Sequence, residues 1–357
     1  MNKANEAGEA QRGRGRARRG CLGCLGRGLI GLVILLAIAA TAGAVYQAGA
    51  SARDSKTYPP PGELYDVGGH RLHLYCTGEG SPAVILEAGA ASSELSWYLV
   101  QKEVAGFTRV CAYDRAGFGW SDPAPGPLAP AQVAEDLDKL LAAADVPGPY
   151  ILVGHSAGGF YIRAYAGQHP SEVVGMVLVD AVHEGEEAAY PAQYVRMRNS
   201  ARAMMPLCSI TSPIGFVRAL RLSDFSGVAV PAEVREAYLS TVYRNAFCPA
   251  MVNEMEAVST FLSQPDIPRS LGDLPLTVLS AGAAYDRASE AEVAAMGGPE
   301  VVAQIAQIHD EFQEKLAGLS TQGKLIIATE SGHIIPVDQP DVVIDAIREM
   351  VGQVRGV

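Results

Sequence analysis

Outside its first 27 residues, this chain of 357 residues lacks concentrated positive charge. Residues 1–27 hold Lys3 and six arginines against Glu6 and Glu9, a local excess of five, so a formal net charge of −11 leaves the rest at −16. A body so acidic argues against a nucleic-acid partner, because phosphate binding gathers Lys and Arg on a folded surface. The Arg12–Arg19 run, interleaved with glycine and without an apolar face, reads as a solvated tail rather than an RNA-binding segment. Metal-ligand spacing is missing too. Cys21 and Cys24 have no second Cys/His pair. Neither His183 beside Glu184, Glu186 and Glu187 nor His309 beside Asp310 and Glu311 forms an HExxH-like pattern, so no metal and no cofactor is expected. No internal repeat is visible. With 48% hydrophobic and 19% charged residues, the chain has apolar material for one large folded domain.

Charge of either sign is absent from Gly28 to Ala52, and Leu29, Ile30, Leu32, Val33, Ile34, Leu35, Leu36 and Ile38 make the centre of that stretch strongly apolar. Leu29 to Tyr46 as a helix rising ~1.5 Å per residue covers ~27 Å, close to the hydrocarbon thickness of a bilayer. We therefore expect a basic cytoplasmic tail (1–27), a transmembrane helix (28–50), a linker (51–62) and a folded domain (63–357). Positive charge before the span places the body outside the cytoplasm. The competing reading is a cleaved signal, because Ala40-Thr41-Ala42 and Ala42-Gly43-Ala44 resemble cleavage sites; cleavage would make the protein secreted. Nothing in the remaining motifs draws on the anchor, so a chain beginning near Ser55 is expected to be soluble and active.

The six cysteines fall into three kinds. Cys21 and Cys24 abut the span, suited to packing or to acylation. Cys76 and Cys111 lie in strand-like runs and read as small buried hydrophobes. Cys208 and Cys248 share a helical insert, where a disulfide and two free thiols are both open readings.

Past Pro59-Pro60-Pro61, short β-type runs appear at 64–67, 71–75, 83–87 and 109–113, and Gly68-Gly69 turns the first pair as a hairpin. A helix is expected over 131–144, where Val133, Leu137, Leu140 and Leu141 recur at helical spacing, then a strand at 150–153, a helix over 158–168 and a strand at 175–180. From about 183 to 268 the alternation stops, with three helical patterns and no strand. It resumes with strands at 276–280 and 324–329 and helices near 299–319 and 340–354. Alternating strands and helices predict an α/β fold with a mostly parallel sheet flanked by helices, and the helical insert forms a cap above the C-terminal strand ends.

Gly154-His155-Ser156-Ala157-Gly158 is a GxSxG sequence between an apolar strand and a helix. That setting makes Ser156 a candidate nucleophile on a sharp turn whose glycines let strand and helix approach. A serine needs a base at neutral pH. Of the seven histidines, His333 follows a strand and precedes the last helix, in the chain order that such an elbow requires. His70, His73, His155, His169, His183 and His309 read as structural or solvated.

With Asp114-Arg115-Ala116-Gly117-Phe118-Gly119-Trp120-Ser121, the Gly-His-Ser-Ala-Gly-Gly elbow and Ser331-Gly332-His333 followed by Asp338-Gln339-Pro340, the chain resembles the α/β-hydrolase family from Leu64 to Val351. The resemblance implies an oxyanion hole of two backbone N–H groups, matching here Ala157 and Ala90. Many relatives have His-Gly where this chain has Ala88-Gly89. The resemblance also implies a triad acid at one of two places, here Asp180 or Asp286. Asp180 is preferred, because Asp286 lies four residues after Gly282 where relatives show three.

The activity so implied is hydrolysis of carboxylic esters or related acyl bonds, with a small-molecule acyl substrate, through an acyl-enzyme on Ser156. A serine nucleophile argues against the dehalogenase and epoxide-hydrolase branches, which use aspartate there. An acyltransferase using the same triad and a non-catalytic ligand-binding protein are the alternatives. The insert is expected to roof the nucleophile with apolar residues such as Met204, Met205, Phe216, Phe225, Phe247 and Met251, or to use them in its own core.

Overall fold

The computed structural model describes residues 3–124, 126–222, 230–263, 267–283 and 289–357. Helix α1 (Lys3–Thr57) runs through the charge-free stretch, and its Arg27–Thr57 part is long and apolar enough to cross a membrane. The linker expected over 51–62 is helical as far as Thr57. The reason is tertiary: Ser51 and Asp54 bond Arg218 of the folded body, which holds the last turns in register.

The body opens with the hairpin β1 (Glu63–Asp66) and β2 (Arg71–Thr77), Asp66 facing Arg71. Gly68 and Gly69 take φ of 101° and 115° in the turn, and Asp66 Oδ1 accepts both of their N–H groups. There follow β3 (Ala83–Glu87), α2 (Tyr98–Val104), β4 (Val110–Tyr113), α3 (Pro130–Ala143), β5 (Tyr150–His155), α4 (Gly158–Gln168) and β6 (Val173–Val179). Among the described residues six α-helices precede the next strand: α5 (Glu186–Ala189), α6 (Ala192–Met204), α7 (Pro206–Thr211), α8 (Phe216–Ala219), α9 (Arg235–Val242) and α10 (Phe247–Ser263). The chain closes with β7 (Leu276–Ala281), α11 (Glu290–Met296), α12 (Pro299–Ala317), β8 (Gly323–Ala328), α13 (Ile335–Asp338) and α14 (Pro340–Arg355).

The eight strands form one sheet in the order β1-β2-β4-β3-β5-β6-β7-β8, antiparallel in its first two pairings and parallel from β4 onward. The period-2 pleat sorts its side chains. Ile85, Leu152, Met176 and Leu178 face α3 and α4, while Val84, Ile151, Val153 and Val177 face Trp97, α2 and α14. Both faces of the central strands are covered, hence their nearly unbroken apolar sequences.

Cys76 and Cys111 are not separate buried hydrophobes. They oppose each other across β2 and β4 with Cα atoms 4.0 Å apart and form a disulfide. Cys208 on α7 and Cys248 on α10 form a second.

Candidate active site

At the end of β5 the chain reverses into α4 with Ser156 at φ 53°, a left-handed conformation that costs a non-glycine residue energy and turns its side chain outward. The neighbours permit the turn. A Cβ at Gly154 would stand 2.7 Å from the Gly158 carbonyl carbon, and one at Gly158 2.5 Å from the Glu87 oxygen, so only glycine fits at either place. Ser156 N–H donates to Val179 O, which ties the turn to β6.

His333 lies in the loop after β8. Its Nε2 is 3.0 Å from Ser156 Oγ, and its Nδ1 is 2.6 Å from Asp180 Oδ2. His155 Nε2 donates to the His333 carbonyl at 2.8 Å, which fixes the His155 tautomer because a carbonyl can only accept. Burial drives the His155 pKa down to about 3, so it serves the loop as a neutral donor.

Asp180 follows β6 at φ 43° and is 2% exposed. Its Oδ1 accepts from Ala281 N–H at 2.8 Å and from His309 Nε2 at 3.0 Å, leaving Oδ2 for His333. Burial works against its charge, but hydrogen bonds from His309 and His333 outweigh it and hold the carboxyl well below the usual range. His309, on α12, has its other nitrogen 3.5 Å from Glu186 Oε1. Burial again opposes the charge, yet the two carboxylates raise this imidazole to about 10, which favours its charged form at neutral pH. The helical patterning of α12 gives no sign of this role for a residue expected to be structural or solvated.

Asp286, the alternative acid, lies outside the described residues. Ala157 begins the turn into α4. Gly89, next to Ala90, approaches the elbow so closely that a Cβ there would be 3.3 Å from Ser156 Cβ. The loop that carries Ala90 is held from below. Arg115 donates to the carbonyls of Ala88 (2.7 Å) and Gly89 (2.6 Å), and Glu254 of α10 accepts Ala91 N–H at 2.6 Å. Arg115 also pairs with Glu87 and Glu254, all three buried. Burial raises Glu87 to about 7 despite that partner. The Asp114–Ser121 motif includes Arg115 only as part of the family resemblance, and the fold shows that it carries the loop opposite Ser156.

A cavity of about 340 Å³ opens over Ser156, Asp180, His309 and His333. Its other wall is Glu186, Glu187, Tyr190, Tyr194 and Arg198 from α5, α6 and the turn between them. Arg198 stacks 5.7 Å from each of the two tyrosine rings, and Glu187 pairs with Arg202. This wall corrects the expected apolar roof. Met204 and Phe216 are exposed, Met205 lines a separate cavity, Phe247 packs on Phe118, Met251 packs against the main core, and Phe225 lies outside the described residues. Helices α5, α7 and α8 are too short for a periodicity that tells inward from outward, and α6 has no buried residue to mark its inner face. Among the described residues, Asp138, His169 and Glu172 bring possible ligand atoms within 4.8 Å of one another at the far end of α4; partly exposed acidic groups of this kind are common without an ion.

The sequence profile of the alpha/beta hydrolase family matches residues 84–346, most of the chain. The chain belongs to that family. An AB hydrolase superfamily protein of Gibberella zeae is 24% identical over 289 residues, covering 77% of this chain and 87% of that one. The chain spans 42% of the length of efuK of Hormonema carpetanum (28% identity over 81% of the chain) and 28% of an uncharacterised Schizosaccharomyces pombe protein (38% identity over 34% of the chain). Among solved structures, an esterase of Thermogutta terrifontis matches with a TM-score of 0.54 and 22% identity, covering 80% of this chain and 94% of that one. A serine hydrolase involved in carbazole degradation matches with a TM-score of 0.57 and 18% identity, covering 82% and 98%. The epoxide hydrolase CorEH matches at 0.50 and 15%, covering 81% and 97%. At such identities the likeness speaks to the fold, and this α/β hydrolase must be assigned its chemistry from its own residues.

Proposed function

We propose that this α/β hydrolase cleaves carboxylic esters through a Ser156–His333–Asp180 triad. The observation that carries the reading is the position of His333, whose two nitrogens reach Ser156 Oγ at 3.0 Å and Asp180 Oδ2 at 2.6 Å beneath a cavity. In that arrangement His333 Nε2 takes the serine proton as Oγ attacks the acyl carbonyl, and Asp180 holds the ring's tautomer and stabilises its charged form. The N–H groups of Ala157 and Ala90 receive the oxyanion, each donor being worth ~3–4 kcal/mol in sites of this kind. His333 then returns the proton to the leaving alcohol, and water attacks the acyl-enzyme by the same route.

The nucleophile's identity separates this chemistry from that of an epoxide hydrolase. Serine opening an epoxide would leave an ether that water does not cleave, whereas an acyl-serine is an ester that water does. Both disulfides and the basic segment before the span support a body outside the cytoplasm, held by α1.

The test is labelling by a fluorophosphonate together with hydrolysis of a short p-nitrophenyl ester. Labelling is expected to vanish in Ser156→Ala, and Asp180→Asn should lower kcat by ~10⁴-fold, the cost of losing a triad carboxylate. An Asp180→Asn variant with near-normal kcat would transfer the acid's role to another carboxylate.

A further inference from the structure

Outside α1, the described residues include eight exposed large hydrophobic side chains, and six of them occupy one short stretch of the cap. They are Met204, Leu207, Ile210, Ile214, Phe216 and Leu220, 37–69% exposed, while the other two are Ile327 and the C-terminal Val357. Such clustering marks a contact surface rather than scattered surface apolarity.

Its place on α1 identifies the partner. A Cβ on Gly43 would stand 2.2 Å from the Ile214 oxygen, and one on Gly215 would stand 3.1 Å from the Tyr46 ring, so cap and helix touch backbone to backbone. Arg218 reaches Gln47 Oε1 at 3.0 Å, Ser51 Oγ at 3.3 Å and Asp54 Oδ2 at 2.5 Å. Gln47 in turn donates to Tyr243 O at 2.6 Å. Gly43, Gln47, Ser51 and Asp54 form one helical face, and these bonds fix the cap's height along α1.

That height lies inside the charge-free stretch. Gly43 is ~16 Å along the helix axis before Asp54, at ~1.5 Å per residue. Ile214 therefore sits at the level of the apolar helix, and Arg218 sits near the first acidic residue beyond it, where lipid headgroups lie if α1 spans. Tyr46 marks the boundary, as aromatic residues do at membrane interfaces.

We propose that the cap segment 204–220 enters the bilayer leaflet adjoining the catalytic body, with its six apolar side chains among the acyl chains and the Arg218–Asp54 pair at headgroup level. This rests on α1 being inserted and not on the esterase reading. The body is then seated on the membrane at two places. α6 runs from Tyr194 and Arg198 in the cavity wall to Met204 at the lipid, which links the mouth of the cavity to the membrane surface.

The full chain in phosphatidylcholine vesicles tests it, with single tryptophans introduced as Ile210→Trp, Phe216→Trp, Leu35→Trp and Ile327→Trp, each first checked for an unchanged far-UV circular dichroism melt. Phosphatidylcholine brominated on its acyl chains should remove most of the added emission at positions 210, 216 and 35 and leave that at 327, which aqueous iodide should remove instead. Two cap sites are used so that misfolding of one variant leaves the other. Quenching at 35 with iodide access at 210 and 216 would overturn the proposal and keep the span. Absence of lipid quenching at 35 would overturn both. Shielding of 210 and 216 from lipid and iodide alike would mean that a protein, such as a second copy, covers the patch, and would also overturn it.

Discussion

Asp180 divides its oxygens between two histidines of different kinds. His333 is reached by solvent and by Ser156, whereas His309 is buried and clamped between Asp180 and Glu186. A charged His309 on the far oxygen would keep Asp180 ionised and its Oδ2 aimed at His333, which makes His309 a positioning residue in the proposed triad. Its pKa of about 10, against 6.5 ordinarily, makes stability depend on pH. The folded value is the higher one. The stabilisation is thus fully present below about pH 6.5 and is lost as pH rises through about 10. His309→Gln should therefore melt below the wild-type protein by the widest margin at pH 6, and the two melting temperatures should converge toward pH 10. A constant gap between pH 6 and 10 would mean that His309 is uncharged in the folded protein.

Helix α10 supports the site from a distance. Glu254, fully buried, joins Arg115, Tyr161 and the N–H of Ala91, so the last cap helix grips the Ala88–Ala91 loop from behind. Removing one partner of a buried ion pair costs ~3–5 kcal/mol, because the other charge stays without compensation. Glu254→Gln should accordingly destabilise the protein by about 3 kcal/mol in urea unfolding and lower kcat as the loop beside Ser156 loosens. Lost stability with unchanged kcat would show that the loop holds its place without α10. This element also shows where legibility in the sequence stops. The elbow could be read because strand, glycines and helix are contiguous, and His333 because it follows a strand near the chain's end. Asp180 could be preferred but not fixed, since β6 and β7 are neighbours in the sheet and a carboxylate after either strand can face the loop after β8. Glu254 and His309 come from mid-helix positions whose apolar spacing says only that they lie on a buried side. The Cys76–Cys111 bond depends on the register between β2 and β4, which no local pattern displays.

In the whole molecule, α1 and the body are not independent parts, contrary to what their separate sequence signals suggest. The catalytic motifs do not draw on α1, but the cap does: its Arg218 and Tyr243 contact the face formed by Gly43, Gln47, Ser51 and Asp54. A chain beginning at Ser55 loses every one of those partners and bares the cap surface that α1 covers. A chain beginning at Ala40 keeps them while shedding most of the apolar stretch. Hydrogen bonds to a charged group contribute ~1.5–3 kcal/mol each, and Arg218 and Asp54 are mostly buried, so the longer chain should be more stable by about 2 kcal/mol or more. Thermal unfolding of both chains in mild detergent checks this, with size-exclusion chromatography without detergent to compare their self-association. The chain from Ser55 should melt lower and associate more, while its core still folds around Ser156. Equal melting temperatures would mean that α1 only tethers the hydrolase. A lower one would mean that the last turns of α1 are part of the folded hydrolase.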